Sequence, residues 1–396
     1  MANGYTFNQI STILNQIVAD AQGRTASIST TPRNTSDFVT MATTAISAGT
    51  DPIMNSLTQL INKTVFAYRP YTRKFQLLER NDMEYGQIVR KVTPVFSDGA
   101  EDQPMYNNQP VDGSMTDQWT IKRPKTLQTN FVGAEQYEIQ APTVFVDQLK
   151  SAFRGPDELS EFIASQVGEV SNEIEQQTEQ LARMTVANMV GAKLYYADDS
   201  VVHLLTEYNA YTGQSLTITD VKKPENFPGF TKWAYARIES ISDRMTERST
   251  LYHKNPVAGY TVLRHTPKEY QRLLVYSPNM AEIKTMVMSG LYHDNLLSMG
   301  ESESVNFWQN INNPAAINVT PKYLDTDGSV NTAAAQTCDN LFAVLYDRDA
   351  MGINVLNMGA ASTPVNAKGK YYNTFHHFTK RYWNDASENC VIFTVD

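Results

Sequence analysis

Apolar residues recur at two different spacings along this chain, and each spacing predicts a different kind of element. Between Tyr85 and Phe96 the pattern has the alternation of a strand, with Ile88 and Val92 on one face. A return strand is predicted over about 115–131. The two strands would form a hairpin whose outer part has too few apolar residues to pack against its own subunit.

The outer part of this predicted hairpin carries only negative charge, whereas its root is basic. The acidic residues are Asp98, Glu101, Asp102 and Asp112, and the basic ones are Arg90, Lys91, Lys122, Arg123 and Lys125. Either the acidic tip is solvated, or the tip of one copy lies over the basic root of a neighbour. The second hypothesis predicts an interface made by Asp98, Glu101, Asp102, Met105 and Tyr106 of the tip and by Arg90, Lys122 and Arg123 of the root.

A helical spacing replaces the alternation over about 157–197. Its apolar stripe consists of Ile163, Val167, Val170, Ile174, Leu181 and Met184. Gly155 and Pro156 signal its start, and no proline interrupts it, so the helix can extend ~60 Å. The stripe fits a coiled coil or a helix lying along a β-sheet. The polar face lacks the ordered charge pairs of a coiled coil, which favours the sheet.

Strands and helices alternate in the second half of the chain, which predicts a mixed α/β region. A helix is predicted with an inner face of Ala234, Ile238, Ile241 and Met245. A capping box at 266–269 predicts another helix that continues through Leu274. Residues 341–346 (LFAVLY) predict the best buried strand, and residues 353–358 a further strand.

The two ends of the chain differ in character. Residues 5–18 and 52–68 predict short helices, and the segment 21–51 between them, rich in Ser, Thr and Ala, predicts an extended arm. At the other end, about 370–383 and 389–395 predict two strands joined by a turn.

Composition and charge narrow the classes of function. The chain has 396 residues, 41% hydrophobic and 19% charged, which indicates a globular protein of more than one domain. A net charge of −9 argues against general nucleic-acid binding, because phosphate neutralisation needs a dense cationic surface. The two cysteines, Cys338 and Cys390, predict reduced thiols. We recognise no membrane span and no signal peptide.

Candidate catalytic and metal-binding residues are few. The histidines lack the spacing of a helical zinc site. Asp347 and Asp349 flank Arg348 at a strand end, where they could form an acid/base pair or a strand end stabilised by arginine. Residues 325–328 (DTDG) begin like a calcium loop but lack its closing glutamate, which predicts a turn. We therefore expect no catalytic residue, no metal and no cofactor.

The order of these parts resembles the tailed-bacteriophage major capsid proteins of the Hong Kong 97-type fold. Residues 341–353 (LFAVLYDRDAMGI) resemble a strand and turn near the end of that family's axial domain. Residues 370–378 (KYYNTFHHF) resemble its next strand, especially in small short-tailed phages. The resemblance implies an α+β fold with an N-terminal arm (1–83), an extended β-hairpin loop (84–131), a peripheral domain with a spine helix (132–227), an axial α/β domain (228–358) and return strands that rejoin the peripheral sheet (359–396).

The same resemblance implies a function. The chain would be a major capsid protein that self-assembles through its interfaces into an icosahedral shell around a phage DNA genome. The implied partners are copies of itself in pentamers and hexamers, a separate scaffolding protein, a portal, and DNA held without sequence specificity, but no membrane. The chain would assemble in the host bacterial cytoplasm and remain in the virion. The alternatives are an encapsulin-like compartment shell protein and a soluble hydrolase that uses Asp347, Asp349 and a histidine.

Overall fold

The structure is a computed structural model, and most of the chain after residue 72 is described. The described residues are 37, 39–40, 73–80, 88–95, 125–132, 134–141, 143–152, 154–255, 262–279, 281, 301–325 and 329–396. The predicted helices at 5–18 and 52–68 and most of the predicted arm lie outside them.

Most strands of the described residues lie in runs before and after a group of α-helices, so the strict alternation predicted for the second half of the chain is not seen among them. The strands are β1 (Ile88–Val95), β2 (Lys125–Val132), β3 (Ala134–Gln140), β4 (Val144–Phe145), β5 (Val201–His203), β6 (Gln271–Tyr276), β7 (Glu301–Val305), β8 (Ile317–Val319), β9 (Lys322–Leu324), β10 (Val330–Thr332), β11 (Gln336–Cys338), β12 (Leu341–Asp347), β13 (Met351–Ser362), β14 (Tyr371–Tyr372), β15 (Thr374–Asn384) and β16 (Cys390–Thr394). The α-helices are α1 (Val146–Ala152), α2 (Pro156–Tyr196), α3 (Leu204–Thr212), α4 (Ile218–Val221) and α5 (Phe227–Arg244).

The long helix predicted from the apolar stripe is confirmed as the 41-residue helix α2, with Pro156 in its first turn. Val170, Ile174 and Leu181 of the predicted stripe are buried, but Met184 is 49% exposed. In the C-terminal half the buried residues turn to another side of the helix, where Val186 and Val190 join the core beside the five-stranded sheet described below. Leu181 of the stripe lies in the same core as these two residues, so burial of α2 extends beyond the predicted stripe in this half, whereas Met184 is left outside it.

The central sheet has five strands in the order β5-β16-β12-β6-β7. Every residue of β12 is buried, which confirms the prediction of a buried strand at 341–346. On one face of this sheet α2 packs, and Val344 belongs to that core. On the other face α5 packs with its predicted inner residues, and Leu345 belongs to that core. One strand therefore contributes to two hydrophobic cores.

The return strands do not stay together, contrary to the expectation that both rejoin one sheet. β15 lies between β13 and β3 in a three-stranded antiparallel sheet. β16 instead pairs with β12 and β5 in the central sheet. All five residues of β16 are buried. Its uninterrupted apolar run fits a strand covered on both faces, as a central position requires.

The helix predicted from the capping box at 266–269 is wrong. A short 3₁₀ turn, Lys268–Tyr270, leads directly into strand β6. The hydroxyl of Thr266 donates to the Asp347 carboxylate at 2.7 Å instead of capping a helix. β6 buries Leu273 and Leu274 beside β12, so sheet pairing overrides the local helix signal.

Candidate assembly interface

The root of the predicted hairpin is present as two antiparallel strands. β1 and β2 pair from Ile88 opposite Val132 to Val95 opposite Lys125. Within the described residues these two strands form a sheet of their own. Pro94 lies in β1, where its missing amide proton suits a strand at a sheet edge. The prediction of a hairpin is thus confirmed for its root.

One face of the root is exposed. Val92 is 52% exposed. On the same face, Arg90 Nη2 donates to Gln128 Oε1 across the strand pair at 2.7 Å, and Gln128 Nε2 donates to Asn130 Oδ1 at 3.0 Å. Among the described residues, the polar contacts given for this face run within the hairpin, and Arg90 and Val92 are exposed.

The opposite face of the root contacts the subunit's own body. Lys91 Nζ donates to Asp385 Oδ2 at 2.9 Å and also to the Glu388 carboxylate. Burial by itself would lower the pKa of Lys91, but the two carboxylates outweigh burial and raise it. Arg264 Nη2 lies 3.4 Å from Thr93 Oγ1 and 3.4 Å from Glu388. Lys91, part of the predicted basic root, is therefore already bound within its own subunit.

Of the eight predicted interface residues, the structure describes Arg90, which is exposed. The other seven lie outside the described residues: Asp98, Glu101, Asp102, Met105, Tyr106, Lys122 and Arg123. The predicted contact between tip and root therefore stays a prediction.

A segment before the hairpin, which the sequence analysis missed, is built into the core. We call residues 73–80 the anchor segment. Phe75 and Leu78 are each 1% exposed and belong to the core between α2 and the central sheet. Phe75 adopts a φ of 64°, in the left-handed region that is uncommon for large side chains. Burial of its ring offsets the cost of that conformation.

Charged groups fix the anchor segment on both sides. Arg73 Nη1 donates to both carboxylate oxygens of Glu175 on α2 at 2.7 Å, and Arg73 also pairs with Glu79. Glu303 on β7 accepts the amide of Phe75 at 2.5 Å, and burial raises the pKa of this glutamate. The sequence could have pointed to this segment only through its short apolar run, Phe75, Gln76, Leu77, Leu78, between charged residues. That run is too short to show the spacing of a helix or a strand.

The two carboxylates of the hydrolase alternative have separate partners. Asp347 is buried, accepts from Thr266 Oγ1, and accepts the amide of Asp349 at 2.8 Å. Burial raises the pKa of Asp347. Asp349 is instead paired with Arg80 of the anchor segment at 2.7 Å. The interpretation as a strand end stabilised by arginine agrees with this geometry, with Arg80 as the nearer cation and Arg348 Nε 3.8 Å away.

The described residues show neither a metal-binding cluster nor a membrane-spanning helix. Their histidine, cysteine, aspartate and glutamate side chains include no group of three placed to hold a metal ion. None of the helices in this part of the chain is both long and apolar enough to span a bilayer.

Comparison with known proteins decides the family. The sequence profile of the Phi29-like phage major capsid protein family matches residues 14–394. The chain belongs to this family. No curated protein matched the chain. The function predicted from the resemblance is confirmed: the chain is a phage major capsid protein, a subunit that self-assembles into a capsid shell. The family is viral, which decides against the compartment shell protein.

Solved structures agree with this family on the fold. A chain in the capsid structure of Staphylococcus phage Andhra is 10% identical, with a TM-score of 0.51, over 83% of this chain and 85% of that chain. A chain in the structure of the head fiber and inner core protein gp22 of bacteriophage P68 is 9% identical, with a TM-score of 0.50, over 82% and 85%. The mixed α+β architecture is the predicted Hong Kong 97-type capsid fold.

Proposed function

We propose that copies of this capsid protein join into pentamers and hexamers through the hairpin over 84–131, which lies on a neighbouring copy. The observation that carries this proposal is the asymmetry of the root. Lys91 binds the hairpin to its own body on one face, while Arg90 and Val92 are exposed on the other. No third strand pairs with β1 or β2 among the described residues, and a strand at a sheet edge offers its backbone groups to a second copy.

Sheet membership supports a division into domains that differs from the predicted boundaries. The peripheral domain would contain α2 with the sheet β13-β15-β3, and the axial domain would contain the central sheet with α5. β13 then belongs with the peripheral part and β16 with the axial part. The anchor segment would connect the arm to both, since it contacts α2 and β7.

Charge complementarity gives the proposed contact its direction. The acidic tip of one copy would lie over the basic root of the next, with Arg90, Lys122 and Arg123 receiving Asp98, Glu101 and Asp102. Met105 and Tyr106 would add apolar contact area at the tip. Salt should weaken this contact, because exposed charges are screened over about 10 Å at 0.1 M.

The other parts of the proposal concern partners and chemistry. Shell closure would use a separate scaffolding protein and a portal, in the cytoplasm of the host bacterium. DNA would be enclosed without sequence-specific contacts, which a net charge of −9 permits. No catalytic step is proposed, because Asp347 and Asp349 are engaged with Thr266 and Arg80 respectively.

A charge-reversal experiment tests the hairpin contact. One variant carries Glu101→Lys with Asp102→Lys at the tip, and a second carries Lys122→Glu with Arg123→Glu at the root. We expect each to abolish shells, because two of the three proposed charges on one side then face charges of the same sign. A third variant carries all four changes and should restore shells, since the charges are again opposite. Negative-stain electron microscopy and size-exclusion chromatography provide the readout, under conditions in which the unchanged chain assembles.

The four-fold variant is also the control against misfolding, because it contains every substitution of the other two. Normal shells from either reversal alone would disprove the charge contact. Deletion of residues 99–112 is the coarser test and should leave a soluble subunit that does not close a shell. Normal assembly of that deletion would reject the hairpin as an assembly element.

A further inference from the structure

The inward face of the hairpin root meets a loop that joins the two main sheets. Residues 385–389 connect β15, in the three-stranded sheet, to β16, in the central sheet. Both carboxylate partners of Lys91, Asp385 and Glu388, lie in this loop. Lys91 and Glu388 are 297 positions apart in the sequence.

Internal hydrogen bonds hold the loop in one shape. Asp385 Oδ1 accepts from the amide of Ser387 at 3.0 Å and from its hydroxyl at 2.5 Å. Arg264 Nε donates to the carbonyl of Ser387 at 3.0 Å, and Asn389 Nδ2 donates to Thr266 Oγ1 at 3.1 Å. Asp385 uses one oxygen to build the loop and presents the other, Oδ2, to Lys91.

The contact is largely shielded from water. The side chains of Asp385 and Glu388 are 2% and 9% exposed, and that of Lys91 is 24% exposed. Two cations, Lys91 and Arg264, face these two carboxylates, so the charges balance. Removing Lys91 would leave one cation for two buried carboxylates, which is costly in a site with little water.

We propose that Lys91, Asp385 and Glu388 form a latch that fixes the angle of the hairpin to the body of the unassembled subunit. β1 and β2 pair with each other and, among the described residues, with no strand of the body, so the hydrogen bonds of a shared sheet do not fix this angle. One end of β2 is tied to the body, because Val132 is followed after one residue by β3 of the three-stranded sheet. The latch adds a second point of attachment, on β1, at the loop between the two sheets. Opening it would let the hairpin turn as a unit when it meets a neighbour. This last step rests on the proposed assembly role of the hairpin.

Distance measurement in the unassembled subunit tests the latch. Spin labels at Gln128→Cys on β2 and Ala236→Cys on α5 report the hairpin angle by pulsed electron paramagnetic resonance. Both positions are exposed, whereas the native Cys338 and Cys390 are buried and react poorly with the label. With Lys91 present we expect one narrow distance distribution. Lys91→Met should broaden or shift it, whereas Lys91→Arg, which keeps the cation, should preserve it.

Matched controls separate the latch from general damage. Arg90→Met removes the neighbouring cation on the opposite face, and we expect no change in this distance. A second label pair, Ala236→Cys and Thr337→Cys, lies within the body and should give one unchanged distance in every variant. Glu388→Gln removes one of the two carboxylates that bind Lys91. It should broaden the distribution of the hairpin distance as Lys91→Met does.

Two outcomes would overturn the latch. One is a hairpin distance that stays narrow and unshifted in Lys91→Met. The other is an equal change in the body pair, which would show that Lys91 stabilises the whole fold and not the hairpin angle. Both distances are measured in single subunits. A failure of the charge-reversal experiment in shells would therefore not contradict the latch. Likewise, a failure of the latch would not contradict the proposed contact between hairpin tip and root.

Discussion

At the scale of single residues, two buried histidines stand out because burial keeps them neutral. His376 on β15 is fully buried, and neither of its ring nitrogens has a hydrogen-bond partner among the described residues. Burial, with a smaller contribution from His377, lowers the pKa of His376 to about 4. Burial likewise lowers the pKa of His253 to about 4, although its Nε2 contacts the carbonyl of Val262 at 2.7 Å.

We expect these histidines to make the fold sensitive to acid. A folded-state pKa of about 4 against an ordinary value of 6.5 means that the unfolded chain binds more protons between these pH values. Stability is therefore lost as pH falls from 6.5 toward 4, by up to about 3 kcal/mol per histidine. His376→Leu should remove the part of this stability loss that His376 causes. The free energy of unfolding, measured with urea, should then depend less on pH between pH 4 and pH 7.

His377→Gln is the matched control, because this neighbour is exposed and lies 3.8 Å from Glu138. It should leave the pH dependence close to that of the unchanged chain. An equally steep loss of stability in His376→Leu would show that its burial has no part in the acid response.

At the scale of elements, local pattern predicted the long helix and the hairpin, but it did not show the anchor segment. The anchor segment has only one short 3₁₀ turn, Gln76–Leu78, and a single β-bridge from Glu79 to Ile353 as regular secondary structure. Its burial comes from contacts with α2 and β7, whose residues lie more than 100 positions away in the sequence. Such contacts leave no periodic mark in the sequence of the segment itself.

We expect Phe75→Ala to lower the free energy of unfolding by about 3–5 kcal/mol, because it empties a buried aromatic position. Gln76→Ala is the control, since Gln76 is exposed and adjacent. Chemical denaturation of both variants, followed by circular dichroism, checks the difference. Equal midpoints for the two variants would contradict the role of the anchor segment in the core.

At the scale of the whole molecule, β12 links two hydrophobic cores. Val344 belongs to the core with α2, and Leu345 to the core with α5. Adjacent side chains of a strand point to opposite faces of its sheet, so a single strand holds both cores. The capsid subunit should therefore unfold these two parts together.

Hydrogen exchange under increasing denaturant tests this coupling. Leu345→Ala, on the α5 face, should lower stability by about 2–5 kcal/mol. We expect it to reduce amide protection in both α5 and the buried part of α2, at the same denaturant concentration. Val344→Ala, on the α2 face, is the reciprocal variant and should also affect both helices. Loss of protection confined to the helix next to each substitution would mean that the two cores unfold independently.

The sequence by itself determined the elements with a long, regular pattern. The stripe of α2, the apolar run of β12 and the alternation of the hairpin root are local, because the spacing of neighbouring residues encodes them. Their order along the chain carried the resemblance to the capsid family, and hence the fold class and the function.

Tertiary structure decided which distant elements meet. It placed β16 in the central sheet, turned the segment after Thr266 into strand β6, buried the anchor segment and paired Lys91 with Asp385 and Glu388. Each of these outcomes depends on partners far away along the chain. A local pattern shows which residues of a segment can be buried. The packing of the whole chain determines the surface against which those residues are buried.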